Sequence, residues 1–394
     1  MFSRRTGWNL STNRYTQALE KHRKSGKEVL DLTASNPTSV GLKYGEQELP
    51  QALIQNSVFS YEPVAKGMRS AREAVAAYYA EKGAAVDPHD IVLTTSTSEA
   101  YSFVFRLLCD PGDSVLVPAP SYPLFDFLAD LNDIRLEPYE LVYDHGWQMD
   151  VTSVGAALDR AGSGGSRCRA VLVVHPNNPT GSYTKTHELL FLSELCRLHQ
   201  MAIIADEVFL DYGLSYQASL TFAGGESCLR FTLSGLSKIS ALPQMKVAWI
   251  ATTGPESLTA DALARLEIIA DTYLSMNAPV QLAVPALLEQ RHHVQPQLLG
   301  RIRENLGVLD EQLKRNPSCE RLAVEGGWYA VLRVPALGPD EDLAIALLED
   351  TGVLLQPGHF YNFHTDGYLV TSLITPRNVF DNGIASALRY LEKR

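Results

Sequence analysis

The chain has 394 residues, 45% hydrophobic and 20% charged. That length exceeds one typical domain, and the composition suits a globular protein with a large core. Its formal net charge of −11 at pH 7 argues against nucleic acid or an anionic membrane surface as partner, since both need clustered Lys and Arg. A local anion pocket stays open to it.

The basic start Met1-Phe2-Ser3-Arg4-Arg5 is not followed by the apolar stretch of a secretion signal. From about residue 50 to 285, strand-like runs alternate with helical ones. A helix is expected over 70–82, a strand over 91–94, a helix over 98–108 and a strand over 114–117. The Gly/Ser segment 161–166 reads as a surface loop. Strands follow over 170–174, 201–205, 229–233 and 247–251, with a helix over 186–199. Runs so short and so evenly apolar suit a sheet buried on both faces. Their alternation with helices predicts a mostly parallel α/β sheet. From residue 298 the pattern changes to a helix over 301–315, an alternating strand over 326–334 and a final helix over 378–391. Two units are expected: a large one, 46–288, and a smaller α+β one built from 1–45 and 289–394. No apolar run reaches the roughly 18 residues that span a bilayer.

Ligands of such sheets bind at the carboxyl ends of the strands. Three motifs fall there in succession: Asn178-Pro179-Thr180-Gly181, Ala205-Asp206-Glu207-Val208 and Ser234-Gly235-Leu236-Ser237-Lys238. An Asn, an Asp and a Lys at successive strand ends suit one chemistry, the holding of an aldehyde cofactor whose pyridine nitrogen must stay protonated. On these residues the chain resembles the class I/II aminotransferases, the fold-type-I family dependent on pyridoxal phosphate. The resemblance runs over nearly the whole chain.

The resemblance implies roles residue by residue. Lys238 would form the Schiff base with the cofactor, and an uncharged setting would lower its amine pKa. Asp206 would pair with the pyridine nitrogen and make the ring an electron sink; by itself it could equally cap the next helix. Glu207 matches the family but reads as structural. Asn178 would donate to the phenolic oxygen. Ser96, Thr97 and Ser98 open the helix after the first strand of the alternation. Helix-start amides with hydroxyls make an anion site for the cofactor phosphate, or simply a helix cap. Lys246 stands where relatives usually carry a phosphate-binding arginine, and it lacks the bidentate fork. Ser234 and Ser237 are further phosphate candidates. Tyr61 would reach the phosphate of a neighbouring subunit, which makes the protein a homodimer with shared sites. Tyr122 would stack on the ring, worth on the order of 1 kcal/mol beyond burial.

Two departures stand out. The family's tyrosine three residues after the Asp is Phe209 here, leaving Asn178 to act alone or Tyr212 to substitute. The arginine that clamps the substrate carboxylate is replaced by Val370, in Leu369-Val370-Thr371-Ser372-Leu373. Arg377 or Asn36 could take over. Segment 271–277 offers no arginine for a second carboxylate, so a dicarboxylate preference is not supported.

The expected activity is amino transfer from an amino acid to a 2-oxo acid. The departures keep open another pyridoxal-phosphate reaction, such as elimination, cyclisation, decarboxylation or racemisation. A non-catalytic module of the same fold is a third possibility, against which the complete Asn178, Asp206 and Lys238 set counts. His187, His199, His292 and His293 show no metal-ligand spacing, so no metal is expected. Trp147 and Trp328 would wall the pocket or pack at a domain interface. The dispersed Cys109, Cys168, Cys196, Cys228 and Cys319 read as reduced thiols of a cytoplasmic protein.

Overall fold

The computed structural model describes residues 1–45, 48–54, 56–59, 61–162, 165–214, 220–274 and 276–393. In chain order the strands are β1 (Leu30–Asp31), β2 (Ile91–Thr94), β3 (Ser114–Ala119), β4 (Arg135–Tyr143), β5 (Trp147–Met149), β6 (Cys168–Val174) and β7 (Ala202–Asp206). They continue with β8 (Arg230–Gly235), β9 (Ala248–Thr253), β10 (Glu320–Arg321), β11 (Tyr329–Arg333), β12 (Val353–Leu354), β13 (Gln356–Pro357) and β14 (Tyr368–Ser372).

One eight-stranded sheet, in the order β2-β9-β8-β7-β6-β3-β4-β5, carries the fold. Its middle strands β8, β7, β6, β3 and β4 run parallel, and β9 and β5 are antiparallel to their neighbours. β2, β3, β7 and β8 are buried along their whole length, which explains their near-continuous apolar sequence. β4 was not anticipated: it carries Pro138 and, apart from buried Tyr139, mixes exposed and half-buried positions, so it has no apolar run to betray it. The expected strand and helix segments otherwise recur with ends shifted by up to three residues, the largest shift being the strand expected over 326–334 and found as Tyr329–Arg333, and the helix 186–199 recurs as Thr186–His199. The helix foreseen over 301–315 is longer, Arg291–Leu313, and accommodates Pro296 within it.

A four-stranded sheet, β10-β11-β14-β13, and the parallel pair β1 and β12 make a second layer system. Its core gathers Tyr15 and Leu32 from one chain end with Trp328, Val370 and Phe380 from the other, and reaches Phe209 and Tyr212. The first residues lie elsewhere: Trp8 donates to Asp130 at 2.7 Å and packs edge-on against Phe127, on the helix Phe125–Leu131. In segment 161–166, Ser163 and Gly164 lie outside the described residues. Among the described residues no helix is long and apolar enough to cross a membrane.

Candidate active site

The carboxyl ends of β7 and β8 open into a cavity of about 280 Å³, which the small sheet closes from the other side. Thr97, Tyr122, Asn178, Asp206, Ser237 and Lys238 all line it. Sequence segments more than a hundred residues apart meet here because parallel strands deliver their ends to one edge of the sheet.

Asp206 ends β7 and is buried. Its Oδ2 accepts from the Tyr101 hydroxyl at 2.9 Å and its Oδ1 from the Val208 amide at 3.1 Å. Burial pushes its carboxyl pKa up, against these two donors and the charge of Lys238. Lys238 follows β8 on the short helix Leu236–Ile239. Burial lowers its amine pKa to about 8, with Asp206 opposing. Its Nζ stands 4.7 Å from the ring centre of Trp328 and 5.5 Å from that of Phe209. A lysine so enclosed gives up its proton readily and becomes a nucleophile.

Gly235 precedes that helix, and space dictates the residue: a Cβ there would lie 2.7 Å from the Val247 carbonyl oxygen. The neighbouring asparagines divide their tasks. Asn177 is consumed by the fold, accepting from Ser121 and donating to Pro120 and Thr180. Asn178 lines the cavity, and its buried Oδ1 has no hydrogen-bond partner among the described residues. Ser96 caps the helix Thr97–Leu108 by accepting from the Glu99 amide at 3.1 Å, so it behaves as a cap. Thr97, the next residue, faces the cavity, where the first amides of the helix have no intrahelical partners. Ser98 is half-buried beside it and does not line the cavity. Of the two serines, Ser237 lines the cavity, whereas buried Ser234 turns its hydroxyl to the Glu207 carbonyl at 3.3 Å. Glu207 itself holds Thr221 and the Phe222 amide, and burial raises its carboxyl pKa to about 8.

Several sequence candidates lie elsewhere. Tyr61 is 78% exposed and outside this chain's own cavity, and Lys246 is exposed in the left-handed conformation at φ 54°. Arg377 begins the final helix, faces solvent and stands 4.0 Å from Glu304, so it does not reach the cavity. Asn36 is exposed and spends its side-chain oxygen on the Thr38 amide and hydroxyl. Tyr212 is fully buried and donates to the Lys238 carbonyl, so it does not stand in for the tyrosine lost at Phe209. Val370 is fully buried in β14 between Val331 and Gln356.

Some residues of the site had no motif to announce them. Tyr101 lies four residues after Thr97, on the same helix face, a spacing that could have found it. Tyr329 and Gln356 complete the wall from the small sheet, where strand pairing brings them, and Tyr361 joins them from the 3-10 turn Gly358–Tyr361.

These residues fit a phosphorylated pyridine aldehyde. Asp206 lacks a full countercharge, Asn178 adds a side-chain amide to the lining, Lys238 offers a neutralisable amine, and a helix start awaits an anion. Such a site on such a sheet defines a fold-type-I enzyme dependent on pyridoxal phosphate. The family described as aminotransferase class I and II matches residues 7–379, and the chain belongs to that family. It is a pyridoxal-phosphate-dependent aminotransferase. It is 27% identical over 358 residues to an alanine aminotransferase of Mycobacterium tuberculosis, covering 87% of this chain and 81% of that one. It is 25% identical over 376 residues to the glutamate-pyruvate aminotransferase AlaA of Haemophilus influenzae, covering 93% and 91%. The alanine aminotransferase of Pyrococcus furiosus superposes with a TM-score of 0.87 at 20% identity, each chain covered in full. An aspartate aminotransferase of Thermotoga maritima superposes at 0.82 with 21% identity, covering 99% of this chain and 100% of that one.

Proposed function

We propose that the enzyme moves the amino group of a monocarboxylic amino acid to a 2-oxo acid, in the cytoplasm, as a homodimer. The observation that carries this is the meeting of a half-buried Lys238 and a buried Asp206 carboxylate in one cavity that holds no arginine among its described residues. A dicarboxylate would bring a second charge with no cation to meet it.

Pyridoxal phosphate, when bound, supplies a carbonyl for the amino group and a ring that takes up an electron pair. Asp206, supported by Tyr101, would keep the ring nitrogen protonated. Asn178 would donate to the ring oxygen, alone, because Phe209 has no hydroxyl. Tyr122 would cover one face of the ring. Thr97 and Ser237 would hold the phosphate in this chain, with Lys246 at its margin, while Ser96 and Ser98 shape the helix start. The partner protomer would lend Tyr61, whose phenol is exposed on this chain. Lys238 Nζ would form the Schiff base, and once released would take the proton from the amino-bearing carbon and return it elsewhere. Unit 46–288 would bind the cofactor, and 1–45 with 289–394 would close over the substrate. The acidic surface and the free cysteines support the cytoplasmic assignment.

The test is a titration of the cofactor-loaded protein with single amino acids and no oxo acid. One stoichiometric turnover per site, ended by conversion of the cofactor to its amine form, is expected. Catalytic consumption of an amino acid without an oxo acid would sink the proposal in favour of elimination, decarboxylation or a related reaction.

A further inference from the structure

The cavity has a charged floor and an uncharged wall. Among its described lining residues Lys238 is the one cation and Asp206 the one anion; Asp206 ends β7 of the central sheet, and Lys238 lies on the short helix that follows β8. The small sheet contributes Tyr329 and Gln356, and the 3-10 turn Gly358–Tyr361 after β13 contributes Tyr361. Gln356 pairs with Val370 across β13 and β14, so an amide stands beside an apolar side chain on the inner edge of that sheet. The Tyr361 hydroxyl donates to Gln356 Oε1. Tyr361 is in turn tied to the central-sheet side, its carbonyl accepting from the Ser121 amide at 2.9 Å. Burial keeps the phenol protonated, since its pKa lies well above the ordinary value. With the carbonyl end of the amide engaged, both N–H groups of Nε2 remain for a ligand, and they make no hydrogen bond among the described residues.

We infer that Gln356 is the specificity-determining residue at the substrate end of the cavity: its Nε2 donates to an oxygen of the carboxyl-type group attached to the amino-bearing carbon, through neutral hydrogen bonds. Tyr361 is the positioning residue that sets the amide. The inference rests on the proposed amino-acid substrate and adds how that substrate is held. A carboxylate or a primary amide can supply such an oxygen. Neutral donors are roughly half as strong as charge-assisted ones and distinguish the two weakly. A guanidinium fork would favour the carboxylate strongly.

The test uses 2-methylalanine and its amide as probes, titrated into the cofactor-loaded protein and read by cofactor absorbance. Neither has a proton to lose at the amino-bearing carbon, so binding is measured without turnover. Wild type should bind the two with Kd values within roughly tenfold of each other. Gln356→Leu should weaken both by about tenfold, the loss of one well-placed neutral hydrogen bond. Tyr361→Phe keeps the ring and should weaken both by roughly threefold, and in the transfer assay it should raise KM by a larger factor than it lowers kcat. Gln356→Glu, of the same size, should impair the acid more than the amide; it serves if the leucine variant does not fold. Equal Kd values in wild type and the Gln356 variants would overturn the inference. So would failure of wild type to bind either probe, or rejection of the amide by more than about a hundredfold, the mark of a charged clamp. Binding with these signatures but no amino transfer from any amino acid would instead overturn the proposed function and leave the Gln356 assignment standing.

Discussion

The hydroxyl of Tyr212 donates to the backbone carbonyl of Lys238 at 2.6 Å, fixing the main chain of the reactive lysine from behind. The ring is fully buried against Trp328, with centroids 5.1 Å apart, and so cannot turn toward the cavity. Tyr212→Phe should therefore cost about 0.5–1.5 kcal/mol in urea unfolding, the worth of one buried hydrogen bond. Cofactor absorbance should keep its pH dependence. A displaced titration would mean that the phenol acts on the cofactor after all.

Asp206 sets function against stability. In the cofactor-free protein its carboxylate is buried without a full countercharge, and Asn would keep the shape while removing that burden. Asp206→Asn should leave the cofactor-free melting temperature unchanged or higher. Amino transfer should fall by more than about a hundredfold, because a buried ion pair with the ring nitrogen is lost. Equal loss of stability and activity would make Asp206 a structural residue only.

Lys238 predicts a pH dependence of defined sign. Its folded pKa of about 8 lies below the ordinary 10.5. Between those values the unfolded chain holds a proton that the native state has released. Stability of the cofactor-free protein should thus rise with pH from about 8 to 10.5 through this group. Lys238→Met should flatten that part of the profile in chemical denaturation. Carbonyl capture by the wild type should increase as pH rises through about 8, as the neutral amine accumulates. A capture rate that does not change there would refute the depressed amine.

Gly235→Ala tests the close approach of two strands. The added methyl would sit 2.7 Å from the Val247 oxygen, and backbone cannot yield cheaply. The expected cost is about 1–3 kcal/mol, with weaker cofactor binding because Lys238 follows three residues later. A variant as stable as wild type would show that β8 and its neighbour can separate without penalty.

Legibility in the sequence followed the periodicity. β2, β3, β7 and β8 are buried on both faces and announce themselves as apolar runs, and their order fixed the fold class. β4 escaped because its mixed exposure gives no periodic signal. Asn178, Asp206 and Lys238 were legible because each ends such a run, and a strand end has one place to go in a parallel sheet. Arg377 looked close to Val370 in sequence, yet the turn into the final helix sends it to the surface beside Glu304.

The chain of residues by itself thus determined the α/β fold, its family and the charged floor of the cavity, since local period and motif spacing encode these. Pairing partners across β13 and β14, the burial that shifts Lys238 and Asp206, and the use of Tyr101, Tyr212, Gln356 and Tyr361 were decided by tertiary structure. Each depends on contacts between segments distant in the chain, and hydrogen bonds and desolvation act on distance in space, which local sequence does not specify.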